Sequence, residues 1–555
     1  MYLSINQLVI VVYSILVHGY QKGNGKMYLL PMIQLKLIVL DGQLKQKYST
    51  KVEFDLELPE FRTKRGVIRK CNDVVVAPVL MWVKALDLAL DKLRASGCDL
   101  SLVAGICGCA QQHGSVYWKN NASDLLSNLD PGRFLHADLA TAFSLMESPV
   151  WMDSSTSLYC RKLEDSFGNS EKLAQTTGSR AYERFTASQI AKVYDTKPGI
   201  YQITERISLI SSFLASIFIG GYASIDHSDG SGMNLLDIKN RKWCGEALEA
   251  VAPGLKEKLG EVVENLTVLG QIAPYFVQRY GFNPECKVVS FTGDNPASLA
   301  GMNLGAGEVA ISLGTSDTVF LSLEEGTGGL LGHVLCNPVD SSLFMGLICF
   351  KNGSLTRERI KNLCVGESWD KFNQILETTD VGNYGYIGLY YDLTEITPHI
   401  QGEYRFDPDG NLISKFPAPE MDVRACIESQ AIRLRLYSER LGYSSGHSSS
   451  ILITGGASSN TAILQIISNV FNAPVYTLDL PDSACLGAGY MAAYALRQSD
   501  ERIPFYDYIN QISGRKRCLL CTPDETACKV YMQLVSKYRD CENKAFGIYY
   551  SRLTP

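Results

Sequence analysis

The sequence predicts an α/β protein of several domains, and three observations predict it. At 555 residues the chain is too long for one core, so roughly two to four domains are expected. An amphipathic helical run, Pro78 to Ala95, is followed at once by the buried-strand run Leu102 to Cys109. Farther on, the apolar strand Ile451 to Thr454 leads through Gly455-Gly456-Ala457-Ser458-Ser459-Asn460 into a helix over Thr461 to Phe471.

Taken in order, Leu35 to Leu40 reads as a strand ending in an Asp-Gly turn. The helix after Pro78 puts Trp82, Leu86, Ala89, Leu90 and Leu93 on one face. The strand Leu102 to Cys109 runs into Gln111-Gln112-His113-Gly114-Ser115, and polar residues at the C-terminal end of a buried strand are where open α/β sheets bind ligands. Gly178 to Arg184 is a polar loop dense in hydrogen-bonding groups, and Ile207 to Gly221 reads as a buried apolar helix, too short to cross a membrane. Asp226 to Met233 is a turn-rich acidic loop. After the second glycine-rich unit come a strand, Val475 to Leu478, and an Ala/Gly-rich helix, Ala484 to Ala495. The tail beyond Gln498 is more polar, with an amphipathic helix near Val530 to Tyr538.

Composition narrows the function. Net charge is −6 with no long Lys/Arg run, which argues against nucleic acid as a main partner. Sixteen scattered cysteines, many in apolar runs, read as reduced thiols of a cytoplasmic protein. Cys518, Cys521, Cys528 and Cys541 lack the spacing and the histidine of a zinc site and read as incidental thiols. The apolar run Leu8 to Val17 is too short for a membrane span and lacks the flanks of a signal peptide; it reads as an extension outside the fold.

The most informative stretch is Phe291 to Phe320. Asp294 follows a glycine at the end of an apolar strand, and a short helical piece, Pro296 to Gly301, comes next. Two strands, Val309 to Leu313 and Thr318 to Leu323, are then joined by Gly314-Thr315-Ser316. Such a turn aims N–H groups and hydroxyls at a phosphate. A strand-end carboxylate can serve as the base opposite it. The pairing points to phosphoryl transfer. Each signal alone has a plainer alternative: Asp294 as a turn or cap residue, Gly314-Thr315-Ser316 as a hairpin turn, Gly455-Gly456 as an ordinary strand-to-helix turn, His113 as a structural histidine, Arg184 as a surface charge and Trp369 as a core or surface aromatic. No G-x-x-x-x-G-K-[ST] is present, which excludes a P-loop kinase.

Order and company decide among these. The segments C-A-Q-Q-H-G-S-V-Y-W-K, S-P-V-W-M-D-S-S-T, T-G-S-R-A-Y-E-R-F-T and F-T-G-D-N-P-A-S-L-A-G-M, followed by L-G-T-S and T-G-G-A-S, occur in the order found in one family. From about Leu37 to about Arg497 the chain resembles the carbohydrate kinases of the glycerol-kinase/xylulokinase type, within the actin-like ATPase superfamily. The resemblance implies two ribonuclease-H-like domains with an interdomain cleft: a sugar-binding domain over 28–298 and an ATP-binding domain over 299–500, flanked by an extension over 1–27 and a tail over 501–555. It implies transfer of the ATP γ-phosphate to D-xylulose with Mg²⁺ as the usual metal. It further implies that His113, Arg184, Asp294 and Asn295 contact the sugar, with Asp294 as general base. Gly314, Thr315 and Ser316 would form the second phosphate loop, and Gly455, Gly456 and Asn460 would hold the nucleotide with Trp369 near its base. Ribulose and glycerol are the alternative substrates of the same class.

The sequence departs from that family at one place. Aligning Lys36 to Asp41 on the family's second strand puts Leu29 where the first phosphate loop carries an Asp, and Pro31 and Met32 where it carries hydroxyl residues. Leucine offers no metal ligand and proline removes an N–H donor. Two readings follow: residues 1 to about 34 are not the natural start of an active kinase, or the chain binds sugar and nucleotide with impaired catalysis.

Overall fold

In a computed structural model of the protein, described for residues 8–23, 26–444, 449–478, 482–497 and 503–552 with the side chains of 13–33 excepted, the chain divides into two units. The first comprises Met1–Asn303, Leu335–Ser342 and Pro481–Gly514; the second comprises Leu304–Val334, Leu343–Leu480 and Arg515–Pro555. This partition differs from a linear cut near 298 and 500. The helix Ser483–Ala495 packs within the first unit. The expected tail is likewise shared out: Phe505–Ser513 lies in the first unit, Cys518–Cys521 and the helix Glu525–Ser551 in the second.

The first unit is built on a seven-stranded sheet. Its strands include β1 (Leu8–Gly23), β2 (Lys26–Leu40), β3 (Gln46–Glu53), β4 (Val103–Ala110), β5 (Val268–Gln271) and β6 (Lys287–Val289), in the order β5-β6-β4-β1-β2-β3. A two-residue strand, Thr292–Gly293, continues beside the end of β4. The start of β1 corrects the reading of 1–27 as an extension. Leu8 to Val12 is a central strand, parallel to β4 and antiparallel to β2, and its side chains are buried. An apolar run of five is short for a membrane and right for a strand covered on both faces. Leu29, Pro31 and Met32, whose side chains lie outside the described residues, belong to β2 in unbroken antiparallel register with Tyr20, His18 and Val17.

The helix expected after Pro78 spans Val79–Ala95, with Pro78 at its N-cap and Trp82, Leu86, Leu90 and Leu93 in the core. The apolar segment from Ile207 divides instead of forming one helix. Thr204–Leu209 is a strand paired with Ser115–Lys119, and only Ile210–Ile219 is helical. The neighbouring strand supplies ladder partners that a continuous helix would forgo.

The second unit repeats the plan with a seven-stranded sheet. In chain order its strands are β7 (Val309–Leu313), β8 (Asp317–Leu323), β9 (His333–Cys336), β10 (Phe344–Phe350), β11 (Ile451–Thr454), β12 (Val475–Thr477) and β13 (Cys518–Cys521). They lie in the order β9-β10-β8-β7-β11-β12-β13. The helix Glu420–Arg440 is buried over most of its length.

In the first unit the helices Asp294–Met302 and Ser483–Ala495 meet at two glycines. A Cβ on Gly301 would stand 1.9 Å from the Ser483 carbonyl oxygen, and one on Gly487 would stand 1.8 Å from that of Ala297. Both obstacles are backbone, which cannot swing aside as a side chain tip can. Gly487→Ala is therefore expected to lower stability by about 1–3 kcal/mol, the usual cost of overpacking. The measurement is a denaturant melt at pH 7. An unchanged midpoint would show that the two helices can separate freely.

Candidate functional site

Both units place their polar turns by the same device: two adjacent parallel strands that end side by side. In the first unit Gly293 is in register with Ala110 at the end of β4, so Gln111-Gln112-His113 and Asp294-Asn295 leave the sheet together. In the second, Ser312 of β7 is in register with Thr454 of β11, so Gly314-Thr315-Ser316 and Gly455-Gly456 do the same.

Asp294 is the first residue of its helix and sits half-buried in a web of amides. Its Oδ1 accepts from the Asn295 N–H at 2.9 Å and from the Gln112 N–H at 3.3 Å. Asn295 Nδ2 donates to Gln112 Oε1 at 2.9 Å, and Gln112 Nε2 donates to Asp229 Oδ1 at 3.4 Å. One glutamine thus links two carboxylates. Gly293 makes this possible by its lack of a side chain, since a Cβ there would lie 2.4 Å from Gln112 Cγ and 2.7 Å from Asp229 Oδ1.

Burial, reinforced by the negative charge of Asp229, pushes the Asp294 carboxyl up to about 7. Asp226 and Asp229 are raised too, first by burial; Asp226 is raised further by Asp229 itself. Ser211 Oγ donates to Asp229 at 2.5 Å, and the Asn265 amide donates to Asp226. A carboxylate whose proton affinity sits near neutrality is suited to general-base work.

His113 adopts a left-handed backbone, φ +70°. Such a conformation is uncommon outside glycine and gathers at functional sites. Its Nδ1 is 2.8 Å from the Gly232 carbonyl oxygen, an acceptor only, so Nδ1 carries the proton and Nε2 is the acceptor nitrogen of the neutral ring. The ring stacks on Phe185 at 4.4 Å between centroids. In the loop before Phe185, the Arg184 guanidinium lies over Trp151 at 5.4 Å and Tyr182 at 5.8 Å. Gln112 thus ties Asp294 to Asn295, and its chain neighbour His113 stacks on Phe185, the residue after Arg184; the Arg184 guanidinium itself lies over Trp151 and Tyr182.

In the second unit Gly455 takes φ +89°, and a Cβ on it would come within 2.6 Å of the Leu313 carbonyl oxygen, so the turn lies tight against β7. Gly456 is exposed with open space beside it, which leaves its backbone accessible to a phosphate. Asn460 is committed to structure. Its Oδ1 caps the helix Thr461–Phe471 at Ile463 N–H, and its Nδ2 donates to Asn373 Oδ1 at 2.8 Å. That bond ties the loop to the helix Trp369–Thr378, whose first residue, Trp369, is 40% exposed and edge-on to Phe372. The Lys361 ammonium lies over the Trp369 ring at 5.0 Å.

Sequence reasoning missed Gln112 and Asp229 as parts of the site. Both lay inside segments already singled out as polar, but only the fold brings the acidic loop beside Asp294. Among the described residues no group of three or more His, Cys, Asp or Glu side chains is arranged to hold a metal, and no helix is long and apolar enough to cross a membrane.

The half-buried carboxyl amid amides in one unit, and the paired glycine turns at strand ends in the other, fit the fold of a phosphotransferase of the actin-like type. The fold agrees with that of the ligand-bound xylulose kinase from Lactobacillus acidophilus, with a TM-score of 0.76 at 17% identity over 98% of this chain and 99% of that one. Models of the N-terminal and C-terminal domains of the FGGY carbohydrate kinases match residues 139–301 and 309–496. The chain is 49% identical to xylulose kinase of Rattus norvegicus, over 92% of this chain and 95% of the relative. It is 46% identical to xylulose kinase 2 of Arabidopsis thaliana over the same shares. The chain belongs to the FGGY family of carbohydrate kinases.

The raised Asp294 carboxyl sets a pH dependence. A general base at this position would have to be ionised, so kcat/KM is expected to climb as pH rises through about 7 if Asp294 serves as one. Asp229→Asn removes the adjacent negative charge and lowers the proton affinity of Asp294, moving that limb to lower pH. A pH–rate profile of the two proteins checks this, and superimposable limbs would refute the coupling.

Proposed function

We propose that this protein phosphorylates D-xylulose with ATP to give D-xylulose 5-phosphate and ADP. The observation that carries the reading is the intact acid-amide-imidazole set around Asp294, in a chain whose relatives of similar length are xylulose kinases. Asp294 accepts the proton of the terminal sugar hydroxyl as its oxygen bonds to the γ-phosphorus and the bond to ADP breaks. His113, Arg184 and Asn295 hold the remaining hydroxyls; directional hydrogen bonds of this kind discriminate a polyol where an apolar pocket cannot. Proton transfer to a positioned base accounts for about 10²–10⁴ in rate, and positioning of the two reactants supplies much of the remainder.

On the nucleotide side, Gly314, Thr315 and Ser316 cradle the β- and γ-phosphates. Gly455 and Gly456 lie along the other phosphates, and Trp369 lies by the base. When bound, Mg²⁺ would supply neutralisation of phosphate charge. The carboxylate at the phosphate turn, Asp317, gives both oxygens to Arg357, so an ion there would rely mainly on the phosphates of ATP and on water, the usual habit of Mg²⁺. We place the protein in the cytoplasm, a reading supported by its sixteen scattered cysteines.

ADP release with D-xylulose, D-ribulose and glycerol tests the substrate, and D-xylulose is expected to give the highest kcat/KM. Asp294→Asn should lower kcat by about 10²–10⁴ while retaining sugar binding. Full turnover by a folded Asp294→Asn protein would remove Asp294 from its role. Saturable sugar binding by the unaltered chain with no ADP release would identify a binding protein, the outcome to which Leu29 in place of the acid points.

A further inference from the structure

The phosphate turn Gly314-Thr315-Ser316 is held from beneath by a buried charged assembly that the phosphoryl-transfer reading does not use. Asp317, the residue after the turn, opens β8 and is buried. Arg357, on the helix Ser354–Val365, grips it with both arms: Nη1 donates to Oδ2 at 2.7 Å and Nη2 to Oδ1 at 3.0 Å. The same Nη1 donates to Gln430 Oε1 at 2.9 Å. A planar fork on a carboxylate fixes direction as well as distance, which an ammonium cannot do.

A second grip acts through the backbone. The Ser354 N–H donates to the Gly314 carbonyl at 2.9 Å. Gly353 lies against the turn so closely that a Cβ would fall 2.8 Å from the Thr315 carbonyl oxygen, 2.9 Å from Gly314 O and 2.9 Å from Asp317 Oδ1. The segment carrying Gly353 is itself fastened. Glu395 accepts from the N–H groups of Lys351 at 2.6 Å and Asn352 at 3.2 Å, and from Arg433 Nη1 at 3.1 Å. Gln430 Nε2 donates to the Asn352 carbonyl at 3.0 Å.

Two buried ion pairs, Arg357–Asp317 and Arg433–Glu395, thus converge on the turn from the side strand and from the helix start. Buried ion pairs are weak devices for stability, because desolvation offsets most of the attraction. What they supply is a fixed geometry. The carbonyl that the Ser354 N–H takes up, that of Gly314, belongs to the turn itself, and Gly353 packs against the carbonyls of Gly314 and Thr315, so the turn is confined from below.

We propose that Arg357 is a positioning residue for phosphoryl transfer: through Asp317, and together with Gly353, it orients the Gly314-Thr315-Ser316 turn toward the phosphates of ATP. The inference rests on the assignment of that turn to ATP. It ascribes to Arg357 no contact with either substrate.

The test compares the full-length protein with Arg357→Lys, which keeps the charge and loses the fork, and Gly353→Ala, which keeps both charged groups and presses on the Gly314 and Thr315 carbonyls and on the Asp317 carboxylate. Arg424→Lys, at the buried pair Arg424–Glu428 in the same unit, is the control for a purely structural ion pair. For each we would measure kcat, KM for ATP, KM for D-xylulose, the ADP dissociation constant by calorimetry, and Tm. A displacement of about 1 Å in a positioned group costs about 10²-fold. Arg357→Lys and Gly353→Ala are expected to lose about that much in kcat/KM for ATP, with KM for D-xylulose unchanged and ADP bound at least several-fold more weakly. Arg424→Lys is expected to lower Tm and leave both KM values in place. If Arg357→Lys and Gly353→Ala lower only Tm, with KM for ATP and ADP affinity as in the unaltered protein, the proposal is overturned. An unaltered chain that binds ADP but does not turn over still decides it through the ADP constants. An unaltered chain that binds no ADP sinks the ATP assignment and this inference with it.

Discussion

The helix that begins with Asp294 has one place to sit, because Gly301 and Gly487 bring two backbones into contact. Nearly all else in the first unit depends on that contact. It holds the helix start at the end of β4, where Gln112 can reach both Asp294 and Asp229. A larger residue at either glycine would carry the carboxylate away from the amides that fix it. The packing is local, yet its effect is read at the far end of the helix.

The electrostatics follow from that placement. A carboxyl at a helix N-terminus would ordinarily be an easy acid, since the helix dipole favours the anion. Burial and the neighbouring acid outweigh the dipole here and leave Asp294 near neutrality. The second unit settles its buried charge in the opposite way. Arg357 and Asp317 satisfy each other fully, so charge there is spent on geometry rather than on proton affinity. One unit raises the proton affinity of a carboxyl, and the other fixes the geometry beneath a turn.

Much of this was legible in the sequence wherever the signal was local. The strands β7 and β11, the helix Thr461–Phe471, and the turns at 314–316 and 455–456 all lie where periodicity and glycines place them. Asp294 was legible as a strand-end acid. Its proton affinity was not, because Asp229 arrives from a distant loop and no spacing announces the pair. Arg357 was silent for the same reason: an arginine on a helix of mixed character looks like a surface charge until the fold buries it. The run from Leu8 was misread because a short apolar segment looks alike as a stray extension and as a fully covered strand; only its pairing with β4 distinguishes them. Asn460 was legible as part of a loop, while its capping role needed the helix and Asn373.

The first unit is sewn from three lengths of chain, and in its last piece, Pro481–Gly514, the helix Ser483–Ala495 is made long after the helix it braces. During synthesis the ribosome must add some 180 residues between Met302 and Ser483, on the order of ten seconds to half a minute at ordinary rates of elongation. Throughout that interval the second unit is being made, and the helix bearing Asp294 has no partner at Gly301. The acid therefore acquires its setting late, close to chain completion. A nascent or prematurely ended chain carries His113, Arg184, Asp294 and Asn295 and still lacks the helix that packs against Gly301.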